Sequence, residues 1–552
     1  MSSYSSGGLG STYNYDWTGQ LIHNNYILIK RLGFGSYAAV WLCYSLRHKK
    51  CFAIKILNPE DFSSGLKEIE VFKQVASARS PYILSLIDHF KIPCPLPPME
   101  GDDEPDDRAP DGQDDRPEPD TDSDDVHVCL VLELMLCSVY DVLKLCKKNR
   151  DDPRADDTKL KRLPIEFVKK IIRETLQATK VFHRSGIIHT DIKPENMLLP
   201  FNLSKALPDI NSDIVSLCNS FNGCDVEAMI DTTVKHLRKQ KFRNNDRHRS
   251  RSDLRKLAIS DVVTRMLETK ASVARVETTQ KRQKKPRPDS HQRHHRGDSD
   301  EESGDESYDR EYRIDREEIS SDDDTDEEPE RPRATTPAPA HAGPTAGTAG
   351  PTGPVNAIFE NVSIKLSDLG TCQSLNKLKY REIQTRHYRA PEVILRLKYN
   401  EKCDIWSIAC CLYEFLTGRV LFNPTKTQAI SCDRYHVCEF ISRLGEIPSA
   451  IIEESPKKDT FFKRNGFIRG ISDPEYNPLW REMEERVQDA SLIELMQQML
   501  TYDRHTRPSA EQCLGHEWLV AHAGASHSHS HTPTTQGESQ QRKSRPKHRK
   551  GR

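Results

Sequence analysis

The sequence predicts an α+β protein whose folded parts are separated by long polar inserts, and three observations carry that prediction. From about Asn25, the run YILIKRLGFGSYAAVWLCYS alternates at strand period around a glycine turn. After Pro164 the apolar residues recur instead at helical period, starting with PIEFVKKIIRETLQATKVFHRSG. Between such blocks lie Pro-, Asp- and Ser-rich stretches. Over 552 residues the hydrophobic share is 36% and the charged share 30%, too polar for a chain packed throughout.

The net charge of -2 hides strong local blocks. The 15 cysteines stand singly or in apolar runs such as Ala409-Cys410-Cys411-Leu412, without paired metal-ligand spacing. They are expected as reduced core residues of an intracellular protein. No apolar run is long enough to span a bilayer, and the Ser/Gly/Tyr-rich start lacks the apolar region of a signal peptide.

In chain order, residues 1–24 are expected as a mobile leader. Two strands follow, joined by a turn holding Gly33 and Gly35. Gly-x-Gly between strands is by itself only a hairpin. Followed by Val40 and then Phe52-Ala53-Ile54-Lys55, it reads better as a nucleotide lid, since glycines let backbone approach a triphosphate. Lys55 sits in an apolar strand, and a buried ammonium needs a partner. The helical stretch GLKEIEVFKQV offers Glu68, because Ile69, Phe72 and Val75 would face the sheet; Glu70 is the alternative. Residues 93–125 carry almost nothing to bury and are expected as a disordered insert. The strand VHVCLVLELM and the helix SVYDVLKLCKK come next. A longer helix then runs between Pro164 and Gly186, punctuation that marks its start and stop.

That helix leads into IIHTDIKPENMLL, Ile187 to Leu199, where apolar runs bracket a polar loop holding Asp191, Lys193 and Asn196 at short spacing. Such a loop suits phosphoryl transfer. A carboxylate can orient and deprotonate a hydroxyl, an ammonium can meet phosphoryl oxygens, and an amide oxygen can hold Mg²⁺. Residues 201–355 then break the pattern with two amphipathic helices (about 222 to 240 and 253 to 275), a basic run and an acidic Ser/Thr run. A loop this long does not belong in a compact core, so an extruded spacer is expected, tolerable because closure entropy grows only logarithmically. Its basic run is either a nuclear-import signal or a solvated charge block. Ser299, Ser303, Ser321 and Thr325, each followed by acids, suit an acidophilic kinase, and Arg249-Ser250-Arg251-Ser252 is a candidate autophosphorylation or docking element. Ordered sequence resumes with NVSIKLSDLGTC, EIQTRHYRAPEV, CDIWSIAC and DRHTRPSAEQCLGHEWL. Residues 521–552, His-rich and then basic, are expected as a disordered tail.

These motifs, in this order, resemble those of eukaryotic protein kinases. The match includes the catalytic loop with Thr190 in place of arginine, Asp368 in Asp-Leu-Gly where the family has Asp-Phe-Gly, and Ala390-Pro391-Glu392. His189-Thr190-Asp191, Ile383 through Arg389, FFKRNG at 461 to 466 and the large spacer are similar to the SR-protein kinases of the CMGC group. The resemblance implies a bilobal kinase fold, with a small β-rich N-lobe and a larger helical C-lobe, over residues 25–520. It implies ATP and Mg²⁺ as cofactors, Asp191 as catalytic base, Lys193 on the γ-phosphate, a Lys55–Glu68 pair on the α and β phosphates, and Asn196 and Asp368 on metal. The nucleotide would lie against Leu32, Gly33, Phe34, Gly35, Ser36, Tyr37, Ala38, Ala39 and Val40 of the glycine turn, with Ala53, Lys55 and Leu198. Glu133 and Met135 would form the hinge, with Leu132 as gatekeeper. Asp404 would brace the catalytic loop and Arg507 would pair with Glu392.

The same resemblance implies phosphorylation of serines in Arg/Ser-rich proteins such as splicing factors. It implies a monomer in cytoplasm and nucleus, import or chaperone partners on the spacer, and no direct contact with nucleic acid or membrane. Two substitutions bear on regulation. Uncharged Thr190 needs no phosphate as counter-charge, and Glu382 supplies an anion where related kinases carry a phosphotyrosine, so activity without loop phosphorylation is expected. Tyr380 and Thr385 are candidate modification sites. The acidic groove that holds arginines in this family is altered: Arg434, Tyr435 and Arg443 stand there beside Asp433 and Glu439, so polyarginine recognition should be weaker. Two further readings stay open: a Pro-directed or dual-specificity CMGC kinase, and a pseudokinase scaffold.

Overall fold

The computed structural model describes residues 16–35, 37–94, 126–153, 159–243, 250–283, 359, 361–378, 380–425, 430–464, 468–470 and 476–520. Ser36, most of the 93–125 insert, most of the basic run and all of the acidic run of the spacer, and the tail lie outside the described residues.

A six-stranded antiparallel sheet occupies the N-terminal part, in the order β1 (Leu21–Ile22), β2 (Tyr26–Phe34), β3 (Ala38–Ser45), β4 (Lys50–Leu57), β6 (Val126–Leu132), β5 (Leu86–Pro93). Order starts upstream of the expected leader boundary at 24. Trp17 is buried edge-on to His127 at 5.8 Å, and β1 pairs with β2. One aromatic in a polar stretch has no periodicity to betray it, which is why the sequence reads as leader.

Strand alternation divides β4 between two layers. Phe52, Ile54 and Ile56 join a core with Tyr26, Leu28, Trp41 and Val131. Cys51, Ala53, Lys55 and Leu57 face the other way, and helix α1 (Phe62–Ala76) covers the Leu57 end of that face with Ile69, Phe72 and Val75.

The Cys51 end is covered by the spacer. Helices α4 (Ser212–Asn222), α5 (Val226–Arg243) and α6 (Arg251–Gln283) form there, following α2 (Val139–Asp151) and α3 (Ile165–Arg184). Ile214, Leu217, Cys218 and Phe221 of α4, Ile230 of α5 and Ile259, Val262 and Val263 of α6 share a core with Ile27, Ile29, Leu42, Tyr44 and Cys51. Asn222 Oδ1 accepts a bond from the Cys51 N–H at 3.0 Å, and Lys30 pairs with Asp213. The expectation that everything after 201 hangs outside the core is therefore corrected for residues 201–268. Loop-closure arguments constrain only where the chain leaves and returns, whereas each apolar side chain buried on the sheet is worth about 1.5–3 kcal/mol. The i, i+3, i+4, i+7 spacing of Ile214, Leu217, Cys218 and Phe221 is the signal by which α4 could have been found. Residues 269–349 form a second unit, described only as the end of α6.

The C-terminal part is helical. Strands β7 (Met135–Ser138), β9 (Met197–Pro200) and β10 (Lys365–Leu366) make one small sheet, and β8 (Ile187–Ile188) with β11 (Gln373–Ser374) another. Helices α7 (Cys403–Thr417), α8 (Cys432–Leu444) and α9 (Leu479–Val487) follow. Helix α7 is buried almost throughout, with Trp406 among the largest enclosed side chains. Arg507 lies over the Trp406 ring at 5.1 Å and pairs with Glu392 at 2.7 and 2.9 Å, both side chains enclosed. Breaking one partner of such a pair costs about 3–5 kcal/mol. Among the described residues no helix is long and apolar enough to cross a membrane.

Candidate active site

Strand β4, helix α1 and the turn after β10 bring three charged groups together. Lys55 Nζ donates to Glu68 Oε1 and Oε2 at 3.0 and 2.9 Å and to Asp368 Oδ1 at 3.1 Å. Glu68 is enclosed, whereas Glu70, the other candidate, is exposed. Burial would strip the proton from Lys55, but the negative charges of Asp368 and Glu68 outweigh it and keep the ammonium charged. Lys55 in turn holds the Asp368 carboxyl below the ordinary carboxylate range. Asp368 has φ 64°, a left-handed conformation that a non-glycine residue adopts at a cost of order 1–3 kcal/mol when its surroundings enforce it.

The loop after β8 supplies the second cluster. Lys193 Nζ lies 2.8 Å from Asp191 Oδ2 and donates to Thr385 Oγ1 at 3.0 Å. Thr385 donates to Asp191 Oδ1 from its hydroxyl at 2.7 Å and from its backbone at 3.2 Å. Asn196 Nδ2 donates to the Asp191 carbonyl at 2.8 Å, which commits its amide nitrogen inside the loop. Burial would lower Lys193, and the Asp191 carboxylate more than compensates. Thr385 entered the sequence reading only as a modification site. Its contact with Asp191 spans 194 residues, so no local motif announces it.

Asp404, fully enclosed at the start of α7, sets the loop's shape. It accepts the backbone N–H of His189 at 2.9 Å and of Thr190 at 3.0 Å, and lies 2.9 Å from His183 Nε2. His189 Nε2 meets the Ser367 carbonyl at 3.0 Å, and the Ser367 N–H donates to the Asn196 carbonyl at 2.9 Å. The Asp191 loop and the Asp368 turn are thus bonded to each other directly.

The nucleotide-lining candidates fall into two groups. Register places Ala53 opposite Leu132 and Val40 opposite Lys55. Val40, Ala53, Met135 and Leu198 stay only half-buried beside enclosed Ala38 and Leu132, an apolar strip suited to a planar base. The expectation for Ala39 is corrected: opposite Ile56 and in the core with Trp41 and Ile54, its side chain takes the other face of the sheet by strand alternation. Glu133 donates its N–H to the Ser85 carbonyl at 3.2 Å, and its side chain takes the Ser85 N–H and Lys365, each at 2.7 Å. Its carbonyl is what it can offer a purine. At the turn, Leu32, Phe34 and Tyr37 are exposed. A Cβ added at Gly33 or Gly35 would meet nothing within 4 Å, so no described neighbour demands a glycine at either position, and the space above them suits a ligand.

ATP with Mg²⁺ would supply the phosphoryl group and its charge neutralisation. The donor set fits: Asp368 and the Asn196 amide oxygen are hard oxygen ligands, and Mg²⁺ takes one or two such groups plus phosphates and water.

The activation segment between Asp368 and Glu392 is tied by Glu382, which pairs with Arg389, with Arg396 at 3.0 Å and with Arg386 at 3.7 Å. Burial would raise the Glu382 carboxyl, yet Arg389 and the other arginines hold it below its ordinary value. Arg389 also donates to the Gln384 carbonyl at 2.9 and 3.2 Å, and Arg386 pairs with Asp433.

Comparison with known proteins agrees with this geometry. Residues 26–207 and 354–519 match the protein kinase domain family. The chain is 26% identical to SRSF protein kinase 3 of Mus musculus over 91% of this chain and 87% of that one. It is 25% identical to the Homo sapiens protein of that name over 91% and 87%, and 24% identical to Protein kinase dsk1 of Schizosaccharomyces pombe over 90% and 81%. With a family match over more than half its length and its charged groups gathered at one cleft, the chain belongs to the protein kinases, as a serine/threonine kinase of the SRSF-kinase type split by an insert.

Proposed function

We propose that this kinase transfers the γ-phosphoryl of ATP to serines in Arg/Ser-rich proteins such as splicing factors, and that it does so without phosphorylation of its activation segment. The observation that carries the reading is Glu382 among Arg386, Arg389 and Arg396: the counter-charge that orders the segment is encoded in the sequence. Thr190 adds no further cation, and its hydroxyl donates instead to the Thr371 carbonyl at 2.9 Å.

In this reading Asp191 accepts the substrate hydroxyl proton, and Thr385 and Lys193 fix the carboxylate's orientation beforehand. Lys55, held by Glu68, meets the α and β phosphates, and Asn196 and Asp368 hold Mg²⁺. The exposed carboxylate of Glu195, two residues from Lys193, supports a preference for arginine near the acceptor. The names of the mammalian relatives point the same way. Cytoplasmic and nuclear residence, spacer-bound import or chaperone partners and action as a monomer belong to the same proposal.

A Pro-directed CMGC specificity is the second reading, and one contact favours it. The Gln384 carbonyl, adjoining the residue bonded to Asp191, is occupied by Arg389, so a substrate residue after the acceptor finds no partner there for its N–H. Proline, which has none, would then lose nothing. A peptide array pairing Ser-Arg with Ser-Pro acceptors, with Asp191→Ala as control, decides between them. Phosphatase-treated enzyme should keep most of its turnover, and near-complete loss would refute the encoded counter-charge.

A further inference from the structure

A cavity of about 610 Å³ lies between the end of α7, the end of α8 and helix α9, apart from the cleft residues. Its lining includes four arginines, Arg419, Arg443, Arg481 and Arg486, against two glutamates, Glu482 and Glu485. Glu482 is oversubscribed. Its Oε1 lies 2.8 Å from both Arg419 and Arg486, its Oε2 lies 2.5 Å from Arg443, and the Tyr413 hydroxyl donates to Oε1 at 3.1 Å. Arg443 is nearly enclosed at 11% exposure and also donates to the Asn477 carbonyl, whereas Arg419 and Arg486 are 59% and 51% exposed. Each guanidinium carries five donors in a planar fork, so one carboxylate leaves most of that capacity unfilled. Glu485 is matched by Arg481 at 3.3 Å. Among the described residues lining the cavity two positive charges therefore remain, beside Tyr476, which is 70% exposed, and Pro478.

We propose that this cavity docks an anionic stretch of a peptide substrate, bearing carboxylates or phosphoserines, rather than an arginine tract. The inference rests on the reading of this chain as a kinase acting on peptides. Geometry sets a spacing as well. Helix α8 carries Asp433, paired with Arg386 of the activation segment, in its first turn, and Arg443, on the cavity, in its last. Ten residues of helix separate the two, roughly 15 Å or the reach of about five extended residues, so the anionic stretch lies about five or more residues from the acceptor serine. Glu482 stays ionised, because Arg443 and its neighbours outweigh the effect of burial, and it competes with the incoming anion for the same donors.

The test uses the full chain and three labelled peptides of equal length, one Asp/Glu-rich, one with phosphoserines and one Arg-rich, with affinity read by fluorescence anisotropy. Either or both anionic peptides should bind more tightly than the Arg-rich one, and which of them binds identifies the source of the charge. Arg419→Ala with Arg486→Ala, both exposed and remote from the cleft groups, should weaken binding roughly three- to thirtyfold. Glu482→Gln should tighten it, an outcome that a damaged fold does not produce. For a peptide substrate carrying the anionic stretch, the arginine variant should raise KM by a similar factor at unchanged kcat and leave a short substrate unaffected. The proposal falls if the wild-type protein binds neither anionic peptide, if the Arg-rich peptide binds best, or if the arginine variant changes nothing. Should no peptide be phosphorylated, the function reading fails while the binding measurements still judge the cavity.

Discussion

Glu382 and Glu482 each face three arginines, and the two clusters end in different states. Around Glu382 the cations have other acceptors: Arg386 pairs with Asp433, and Arg389 donates twice to the Gln384 carbonyl. Around Glu482 the exposed arginines, Arg419 and Arg486, share a single oxygen beside an open cavity. The supply of acceptors, more than the number of cations, separates a cluster that closes on itself from one that can receive a ligand. A third glutamate completes the comparison. Glu414, enclosed in α7, pairs with no arginine among the described residues; its partner is the Tyr388 hydroxyl at 2.7 Å. Burial pushes its carboxyl up to about 7, while both arginine clusters hold theirs down.

The largest predicted effect separates Glu414 from the other two by pH. Its folded-state value lies above the unfolded value of about 4.5, so its stabilisation is complete below pH 4.5 and is lost as pH rises toward 7. Over that window the loss is on the order of 3 kcal/mol. Thermal melts should show Glu414→Gln gaining on wild type as pH rises from 4.5 to 7, with Glu439, also near 7 through burial, leaving a residual slope. For Glu382 and Glu482 the sign reverses: their contribution is present above 4.5 and disappears as pH falls through their lowered values. A flat difference between Glu414→Gln and wild type would remove the contrast.

Next in size is Glu382→Gln. Losing the carboxylate leaves Arg389, 10% exposed, without its ionic partner beside Asp191's supporting residues. We expect kcat to fall about 10- to 100-fold, equivalent to about 1.4–2.7 kcal/mol, with global unfolding little changed. Unchanged turnover in the glutamine variant would mean that the cluster holds a segment already ordered by other contacts.

The cleft was legible in the sequence because its chemistry sits in short motifs. Asp191, Lys193 and Asn196 lie within six positions, and the Lys55–Glu68 pair follows from asking what a buried ammonium needs. The α4 helix had a local period, but its docking on the sheet, like the Trp17 anchor and Thr385 on Asp191, was not legible, although each is as firmly built. They depend on pairings such as Cys51 with Asn222, 171 positions apart, which no local period encodes. The arginine clusters fall between these cases. Sequence shows the charges at 382–396 and 419–443, but only the fold shows that Glu482 reaches Arg443 across 39 positions while Asp433 is already taken by Arg386.

The smallest predicted effect is the one that isolates acceptor supply from stability. Glu482→Gln removes a charge shared by two half-exposed arginines, whose screened pairs are each worth about 0.2–1 kcal/mol, and by Arg443, which keeps the Asn477 carbonyl at 3.1 Å. Glutamine still accepts from Tyr413, so the melting free energy should fall by only about 1 kcal/mol, and kcat on a short peptide should stay at the wild-type value. The same conservative change thus costs turnover at 382 and almost nothing at 482, although both residues begin with three arginines. A drop of several kcal/mol at 482 would show that this cluster, too, is internal scaffolding whose arginines have no capacity left for a ligand.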